Sequence, residues 1–526
     1  MNAAYQNLLD RIHLLNNIGI SLSTEKDTAR LLEKILLGAK ELTDADGGTI
    51  YLLDENNQLR MEIVQTESLN FAMGGTTGTE IPFEPIPIYF EDGSANDKMV
   101  VTRAVLEDCT INIADAYNSD EYDFSGTYSF DERTGYHSQS FLTIPMKNHE
   151  NDIIGVLQLI NAKDKDSGET RVFNTEDQQF AESLASQAAV TLTNKQLIDG
   201  MKELFDALVK MIASAIDEKS EHTGNHCRKL PTLTMLLAHA VNHSDQGPFA
   251  NFTIDDDELY QLETAAWLHD CGKLTTPDRV MEKSTKLEMP IDRIELIKAR
   301  FEILKRDQII ARLMARQEHN DTVETNVDSS TEEQKLSEYL RLIETTNTGA
   351  EFTPDDAIAE IKDIAHRYYV DIDGVKQPIL SDDEVHHLSI NKGTITQEER
   401  SIINNHIVVT IKMLESLPFP KHLKSVPEYA GGHHERIDGK GFPKGLTGDQ
   451  MSVPARIMAI ADVFEALTAN DRPYKPPMKL SKAIEILESM SKTGHIDPDL
   501  FDVFIRQKVY LEYARQNLSP EQIDIG

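Results

Sequence analysis

Apolar positions in the first 200 residues alternate between two periods. TARLLEKILLGAKELT (28–43) repeats them at helical spacing and predicts an amphipathic helix. TIYLLDENNQLRMEIV (49–64) reads as two strands around a polar turn, and SFLTIPMKNHENDIIGVLQLIN (140–161) repeats that arrangement with NHEND as the turn. Helices flanking antiparallel hairpins predict an α+β, sensor-like domain. A helix then opens at Thr175, where TEDQ fits a capping box and no Gly or Pro interrupts residues 176–199. At about 1.5 Å per residue this helix spans roughly 36 Å. Phe180, Leu184 and Ala188 form one stripe, and Leu204, Leu208, Met211 and Ala215 form another beyond Gly200. Two readings stand: a last helix packing on its own domain, or a signalling helix over 176–216 that pairs across a dimer.

From about residue 201 the strand pattern fades and helical periodicity takes over. Between about 306 and 395 the periodicity weakens and acid dominates; EHNDTVETNVDSSTEEQKLSEYL (318–340) carries seven carboxylates against one lysine. This stretch predicts an insertion, either partly flexible or a solvated helical hairpin.

Length and composition narrow the picture. A chain of 526 residues exceeds one ordinary core and predicts two to four domains. No apolar run approaches the ~18 residues of a membrane span. MNAAYQNLLDRIHLL places charges inside its apolar stretch, unlike a signal peptide. Cys109, Cys227 and Cys271 form no CxxC pair, so a reducing, cytoplasmic setting is expected. The formal charge of −36 opposes binding of DNA or RNA polymers. It leaves room for one small anion in a locally basic pocket.

Candidate chemistry concentrates in the C-terminal half. Histidines and aspartates recur in EHTGNH (221–226), WLHDCGK (267–273), NNH (404–406), GGHHE (431–435) and IADVFEAL (460–467), each in or beside an apolar helical run. A lone carboxylate at Asp462, inside a greasy helix, needs a compensating partner, and a cation supplies one. One such residue is more often a satisfied core group than a ligand; five clusters reverse that balance. Neighbours such as His433 and His434 project ~100° apart on a helix. They suit two ions a few ångströms apart, with an aspartate such as Asp270 between. Paired ions suit phosphodiester cleavage, one activating water and the other stabilising the leaving oxygen. Mixed imidazole and carboxylate ligands without cysteine favour iron or manganese.

HDCGK (269–273) together with HHERIDGKGFP (433–443) resembles the HD-GYP subgroup of HD-domain phosphohydrolases, bacterial enzymes that open cyclic dinucleotides, chiefly cyclic di-GMP. The likeness covers about 201–305 and 385–510. It implies an all-α HD-type domain over 201–515, interrupted by the acidic insertion, with two or three divalent ions held by His226, His269, Asp270, His406, His433, His434 and Asp462. His222 stands where trinuclear relatives carry a glutamate, which leaves the ion count open. Phe442 replaces the tyrosine of the family motif, keeping an aromatic face and losing a hydroxyl. The resemblance assigns Lys273, Arg472 and Lys475 to phosphate oxygens, with Lys440 and Lys444 on the loop around Gly439 and Gly441 as further cations. Alternatively, those two loop lysines are ordinary surface residues. Catalysis falls to Asp270 with the ions and to Lys273, which faces the extra charge of the transition state as the 3′ oxygen leaves. The product would be linear pGpG, with GMP after a second cut.

Residues from about 15 to 197 resemble a GAF domain, on the strength of the two hairpins, DERTGYHSQSFL (131–142) and GVLQLINA (155–162). The overall expectation is thus a multidomain chain: a GAF domain (1–197) with an antiparallel sheet and flanking helices, then the helical HD-type domain. Cyclic-nucleotide-binding GAF domains carry an NK…F…DE signature; Asn161, Phe173 and Asp177 fit it, while Ala162 and Gln178 depart from it. The half match directs a small-molecule ligand to those three residues without identifying it, and a GAF domain used only for dimerisation explains the same pattern. Three readings of the whole remain: a cyclic di-GMP phosphodiesterase, the same chemistry on 3′3′-cyclic GMP-AMP, and a catalytically silent receptor or scaffold for the nucleotide or for a diguanylate cyclase domain. A homodimer accompanies each.

Overall fold

The computed structural model describes residues 3–219, 225–319, 326–350, 352–469 and 477–525. They divide into two units, Met1–Leu204 and Phe205–Gly526.

In the first unit, α1 (Ala3–Thr24) and α2 (Thr28–Thr43) precede strands β1 (Ala45–Leu53), β2 (Gln58–Thr66), β3 (Phe71–Gly74) and β4 (Ile86–Pro87). Helix α3 (Val100–Leu106), strand β5 (Ile111–Ile113), helix α4 (Ser125–Thr134), and strands β6 (Phe141–Lys147), β7 (Ile153–Lys163) and β8 (Thr170–Arg171) follow. The sheet is antiparallel in the order β3-β2-β1-β7-β6-β5, with β4 on β2 and β8 on β7. Both hairpins thus form where alternation and polar turns predict them. Leu32, Ile35, Leu36 and Ala39 of α2 pack on Ile50, Leu157 and Leu159 of the sheet, and Ala181, Leu184 and Ala188 of α5 (Thr175–Lys219) close the same core.

Helix α5 departs from expectation at its start. Its first turn is capped by Asn174, whose Oδ1 accepts from the Asp177 N–H at 2.9 Å while Asp177 Oδ2 accepts from the Asn174 N–H at 3.0 Å. The box is therefore one residue earlier than TEDQ suggests. The helix also runs through Gly200 and extends for 45 residues. Leu204, Leu208 and Met211 lie on its surface, whereas Val209, Ala213 and Ile216 join the core of the second unit.

The second unit is helical. Its main core draws on α6 (His226–Asn242), α7 (Asp256–Leu268), α14 (His406–Glu415), α15 (Val426–Gly431), α16 (Val453–Thr468), α17 (Leu480–Lys492), α18 (Pro498–Arg506) and α19 (Val509–Asn517). Between α7 and α14 come the short α8 (Asp278–Met281), then α9 (Ile294–His319), α10 (Asn326–Asn347), α11 (Asp355–Arg367), a two-stranded ribbon of β9 (Tyr369–Ile372) and β10 (Val375–Pro378), α12 (Asp382–Leu388) and α13 (Gln397–Asn404). The acidic insertion is more than a solvated hairpin. Leu287, Ile297, Phe301, Leu336, Ile343, Ile361, Ile364 and Leu388 form a core of its own. Fully buried Lys286 pins that lobe by donating to Thr353 Oγ1 at 2.8 Å and to the Ile390 carbonyl at 2.6 Å. Burial pulls its ammonium pKa down to about 8. No helix among the described residues is long and apolar enough to cross a membrane.

Candidate metal centre

Five chain segments deliver the candidate ligands to one point. His226 opens α6; His269 and Asp270 follow the last turn of α7; His406 opens α14; His433 and His434 follow α15; and Asp462 sits mid-way along α16. Apolar packing of these helices sets their relative positions, so the site is built from the ends and inner faces of a greasy bundle. The potential ligand atoms of His226, His269 and Asp270 lie within 4.8 Å of one another, as do those of His406, His433 and His434. Asp270 joins the two groups, with Oδ2 3.0 Å from His269 Nε2 and Oδ1 3.1 Å from His406 Nε2. Asp462 Oδ1 approaches His226 Nε2 at 3.2 Å and His269 Nε2 at 4.0 Å.

The electrostatics of this cluster demand a cation. His269 is fully buried, and Asp270, His406 and His433 are nearly so. Asp270 Oδ1, His406 Nε2 and His433 Nε2 have no hydrogen-bond partner, although each buried polar atom left unpaired costs about 1–3 kcal/mol. Burial opposes ionisation of Asp270, but His269 and Lys273 outweigh it and hold its carboxyl well below the usual range. Asp462 is likewise held low against burial, chiefly by its hydrogen bond with His226. Burial drives His433 well below, and His434 down to about 4, so both imidazoles are neutral donors at pH 7. His226 goes the other way: burial lowers it, yet the carboxylates of Asp462 and Glu465 push it up to about 10. Two ionised carboxylates with the neutral imidazoles of His433 and His434 aimed at one space fit divalent ions with N and O preference.

Backbone geometry locks the walls. The turn Cys271–Thr275 lies on α14, where Gly272 N–H donates to Thr410 Oγ1 at 2.9 Å. A Cβ on Gly272 would stand 2.0 Å from the His406 carbonyl oxygen, so only glycine permits this approach. Lys219, at the end of α5, donates to the carbonyls of Leu274 and Thr276 at 2.8 and 2.7 Å and braces the same turn. Lys273 Nζ rests 2.6 Å from Asp270 Oδ2 at the rim of the cluster.

The loop after His434 is held by Glu435, which is buried and accepts from the N–H groups of Lys444 and Leu446 at 2.7 and 2.9 Å. Phe442 stacks on His434 with ring centroids 4.9 Å apart, so the aromatic face at this position contacts a candidate ligand directly. Lys440 and Lys444 are exposed. The Gly439 N–H donates to the Arg436 carbonyl at 2.9 Å and is not free for a phosphate. His222, Arg472 and Lys475 lie outside the described residues. Glu465 escaped sequence reasoning. It lies three residues after Asp462 in the same apolar run, is 2 % exposed, and meets His226 Nδ1. The cost argument that marks Asp462 applies to it equally.

In the first unit, Asn161, Phe173 and Asp177 are buried and held by structural contacts. Asn161, at φ 57°, accepts from the N–H groups of Gln139 and Ser140 and donates to the His137 carbonyl. Phe173 packs in the core, and fully buried Asp177 pairs with Arg11 and Arg171 at 2.6 and 2.5 Å. A cavity of about 310 Å³ lies elsewhere, bounded by Met61, Phe71, Phe130, Arg133, Tyr136 and Gln158 among others.

Residues 27–192 match the family model of the GAF domain, and residues 382–500 that of the HD domain. The chain carries a GAF domain and an HD domain. The HD match contains His406, His433, His434 and Asp462, whereas His226, His269 and Asp270 precede the inserted lobe and reach the HD domain through the fold. Among similar proteins is the 3′3′-cGAMP-specific phosphodiesterase 1 of Vibrio cholerae, 48% identical over 81 residues, covering 15% of this chain and 19% of that protein. The 3′3′-cGAMP-specific phosphodiesterase 3 of the same organism is 39% identical over 110 residues (21% and 23%). A cyclic di-GMP phosphodiesterase of Thermotoga maritima is 33% identical over 117 residues (22% and 31%). The chain thus spans 19–31% of the length of these relatives.

Proposed function

We propose that the protein hydrolyses a phosphodiester bond of a cyclic dinucleotide in a reaction that depends on divalent metal ions, and that its GAF domain regulates this activity. The observation that carries the reading is the meeting of two ligand groups around Asp270, with three buried polar atoms left for a cation to satisfy. The relatives' activities support the substrate class and keep both cyclic di-GMP and 3′3′-cyclic GMP-AMP in view.

His406, His433 and His434 would hold one ion, His226 and His269 with Asp462 another, and Asp270 both. Manganese or iron suits this donor set. Bound ions of this kind supply an activated water and charge neutralisation at a phosphate. The protein contributes a dry, fixed frame that needs no reorganisation during the reaction. It also contributes Lys273, whose ammonium, steadied by Asp270, faces the growing negative charge on the phosphoryl oxygens. Arg472 and Lys475 are assigned, by the family resemblance, to phosphate oxygens, and Phe442 keeps His434 in line by stacking.

Leu197, Met201, Leu204, Leu208 and Met211 are between 44% and 71% exposed on α5. They repeat at intervals of 4 and 3, the seam of a two-stranded coiled coil, which supports a homodimer through this helix. A regulatory small molecule of the GAF domain is assigned to the cavity beside Phe71 and Phe130 rather than to Asn161, Phe173 and Asp177. The test is product analysis after incubating manganese-loaded protein with each cyclic dinucleotide. Linear dinucleotide is expected. Intact nucleotide recovered from protein that binds both ions and nucleotide would replace this reading with that of a silent receptor.

A further inference from the structure

Three histidines of the cluster are oriented by one device. Nδ1 of His269, His406 and His433 lies 2.8, 2.6 and 2.6 Å from the carbonyl oxygen three residues earlier, on Ala266, Ile403 and Ala430. A carbonyl can only accept, so the proton sits on Nδ1 and Nε2 keeps its lone pair. His226 is different. It is the first residue of α6, and its Nδ1 meets a carboxylate, Oε2 of Glu465, while its Nε2 faces His269 and Asp462 at 3.1 and 3.2 Å. Glu465 and Asp462 lie three apart on α16 and so share a face of that helix. They address opposite nitrogens of the same ring.

We propose that Glu465 is a positioning residue for the metal centre, holding the His226 proton on Nδ1, fixing the ring, and making its Nε2 the most electron-rich imidazole donor of the site. This rests on the metal-dependent reading above. The physical reason is charge. A carboxylate polarises the N–H it accepts more strongly than a carbonyl does and raises the basicity of the opposite nitrogen. The buried negative charge on Glu465 is in turn compensated through the ring by the bound ion. His226 therefore grips its ion more tightly than the carbonyl-anchored histidines grip theirs.

The test uses full-length protein stripped of metal and titrated with Mn(II) by calorimetry, together with thermal melts of the metal-free forms. Glu465→Gln keeps the shape and removes the charge; it is expected to weaken the tightest Mn(II) site by about 10–100-fold while the metal-free protein still melts in one cooperative transition. Glu465→Asp recovers part of that loss. Combining Glu465→Gln with His226→Ala is expected to add nothing to His226→Ala alone, because the two act as a unit. Wild-type Mn(II) affinity in Glu465→Gln overturns the inference and leaves the phosphodiesterase reading standing. Loss of the cooperative metal-free transition in Glu465→Gln also overturns it, since Glu465 would then be required for the fold itself. Absence of Mn(II) binding by the wild-type protein overturns both.

Discussion

Replacing Gly272 with alanine tests whether the turn after His269 and Asp270 must lie directly on α14. The added Cβ would stand 2.0 Å from the His406 carbonyl oxygen, 2.7 Å from Thr410 N and 2.8 Å from Thr410 Oγ1, where real Cβ atoms essentially never come within 3.0 Å. Two of these three atoms are backbone, so no rotamer change relieves the clash, and the segments must separate by about 1 Å. Overpacking of this kind costs about 1–3 kcal/mol of stability. The same movement carries Asp270 away from His406, whose closest atoms are 3.1 Å apart. A misplacement of 1 Å costs on the order of 100-fold in rate, or about 2.7 kcal/mol of transition-state stabilisation. The assay is kcat/KM for cyclic-dinucleotide cleavage by manganese-loaded protein, read beside the thermal melt and the metal content per chain. A folded Gly272→Ala protein with wild-type kcat/KM would refute the claim that this contact sets the distance between the ligand groups.

Other outcomes follow from the same geometry. Glu435→Gln turns an amide NH2 toward one of the two N–H groups now accepted at 2.7 and 2.9 Å; a loss of about 1–3 kcal/mol is expected in a denaturant melt, with metal content unchanged. Asp177→Ala leaves Arg11 and Arg171 without their buried partner, and a loss of about 3–5 kcal/mol in the melt, with cyclic-dinucleotide turnover retained, would set its structural role apart from any catalytic one. Lys286 has a folded pKa lowered to about 8 from 10.5. The unfolded chain therefore binds more protons between those values, and its contribution to stability rises with pH across that window. The wild-type protein should gain stability from pH 8 to 10 relative to Lys286→Met, and equal slopes in the two melts would contradict this.

Much of this arrangement was legible before any coordinates. Alternation around polar turns marked β1–β2 and β6–β7, because a half-buried strand writes its two faces into the sequence. The ligand clusters stood out because His and Asp in apolar helical runs are costly without partners. The helix expected over 176–216 crosses Gly200, because one glycine costs only about 1 kcal/mol in a helix and the flanking helix formers outweigh it. Elsewhere, competing effects obscured the pattern. The core of the inserted lobe rests on a few residues such as Leu336, Ile343, Ile361 and Ile364, diluted among carboxylates on its surface. Asn161, Phe173 and Asp177 match a ligand signature in type, but whether a side chain faces a cavity or its own backbone depends on the fold. Anchoring of His269, His406 and His433 by carbonyls three residues upstream is a property of the backbone and leaves no trace in residue identity.

A polynuclear centre at this site requires Asp270 to join the two imidazole groups. Anomalous scattering from crystals of the manganese-loaded protein tests it most directly. Two peaks about 3.5–4 Å apart are predicted, one beside His406, His433 and His434 and the other beside His226 and His269, with Asp270 between them. A single peak, or none near Asp270, would contradict it.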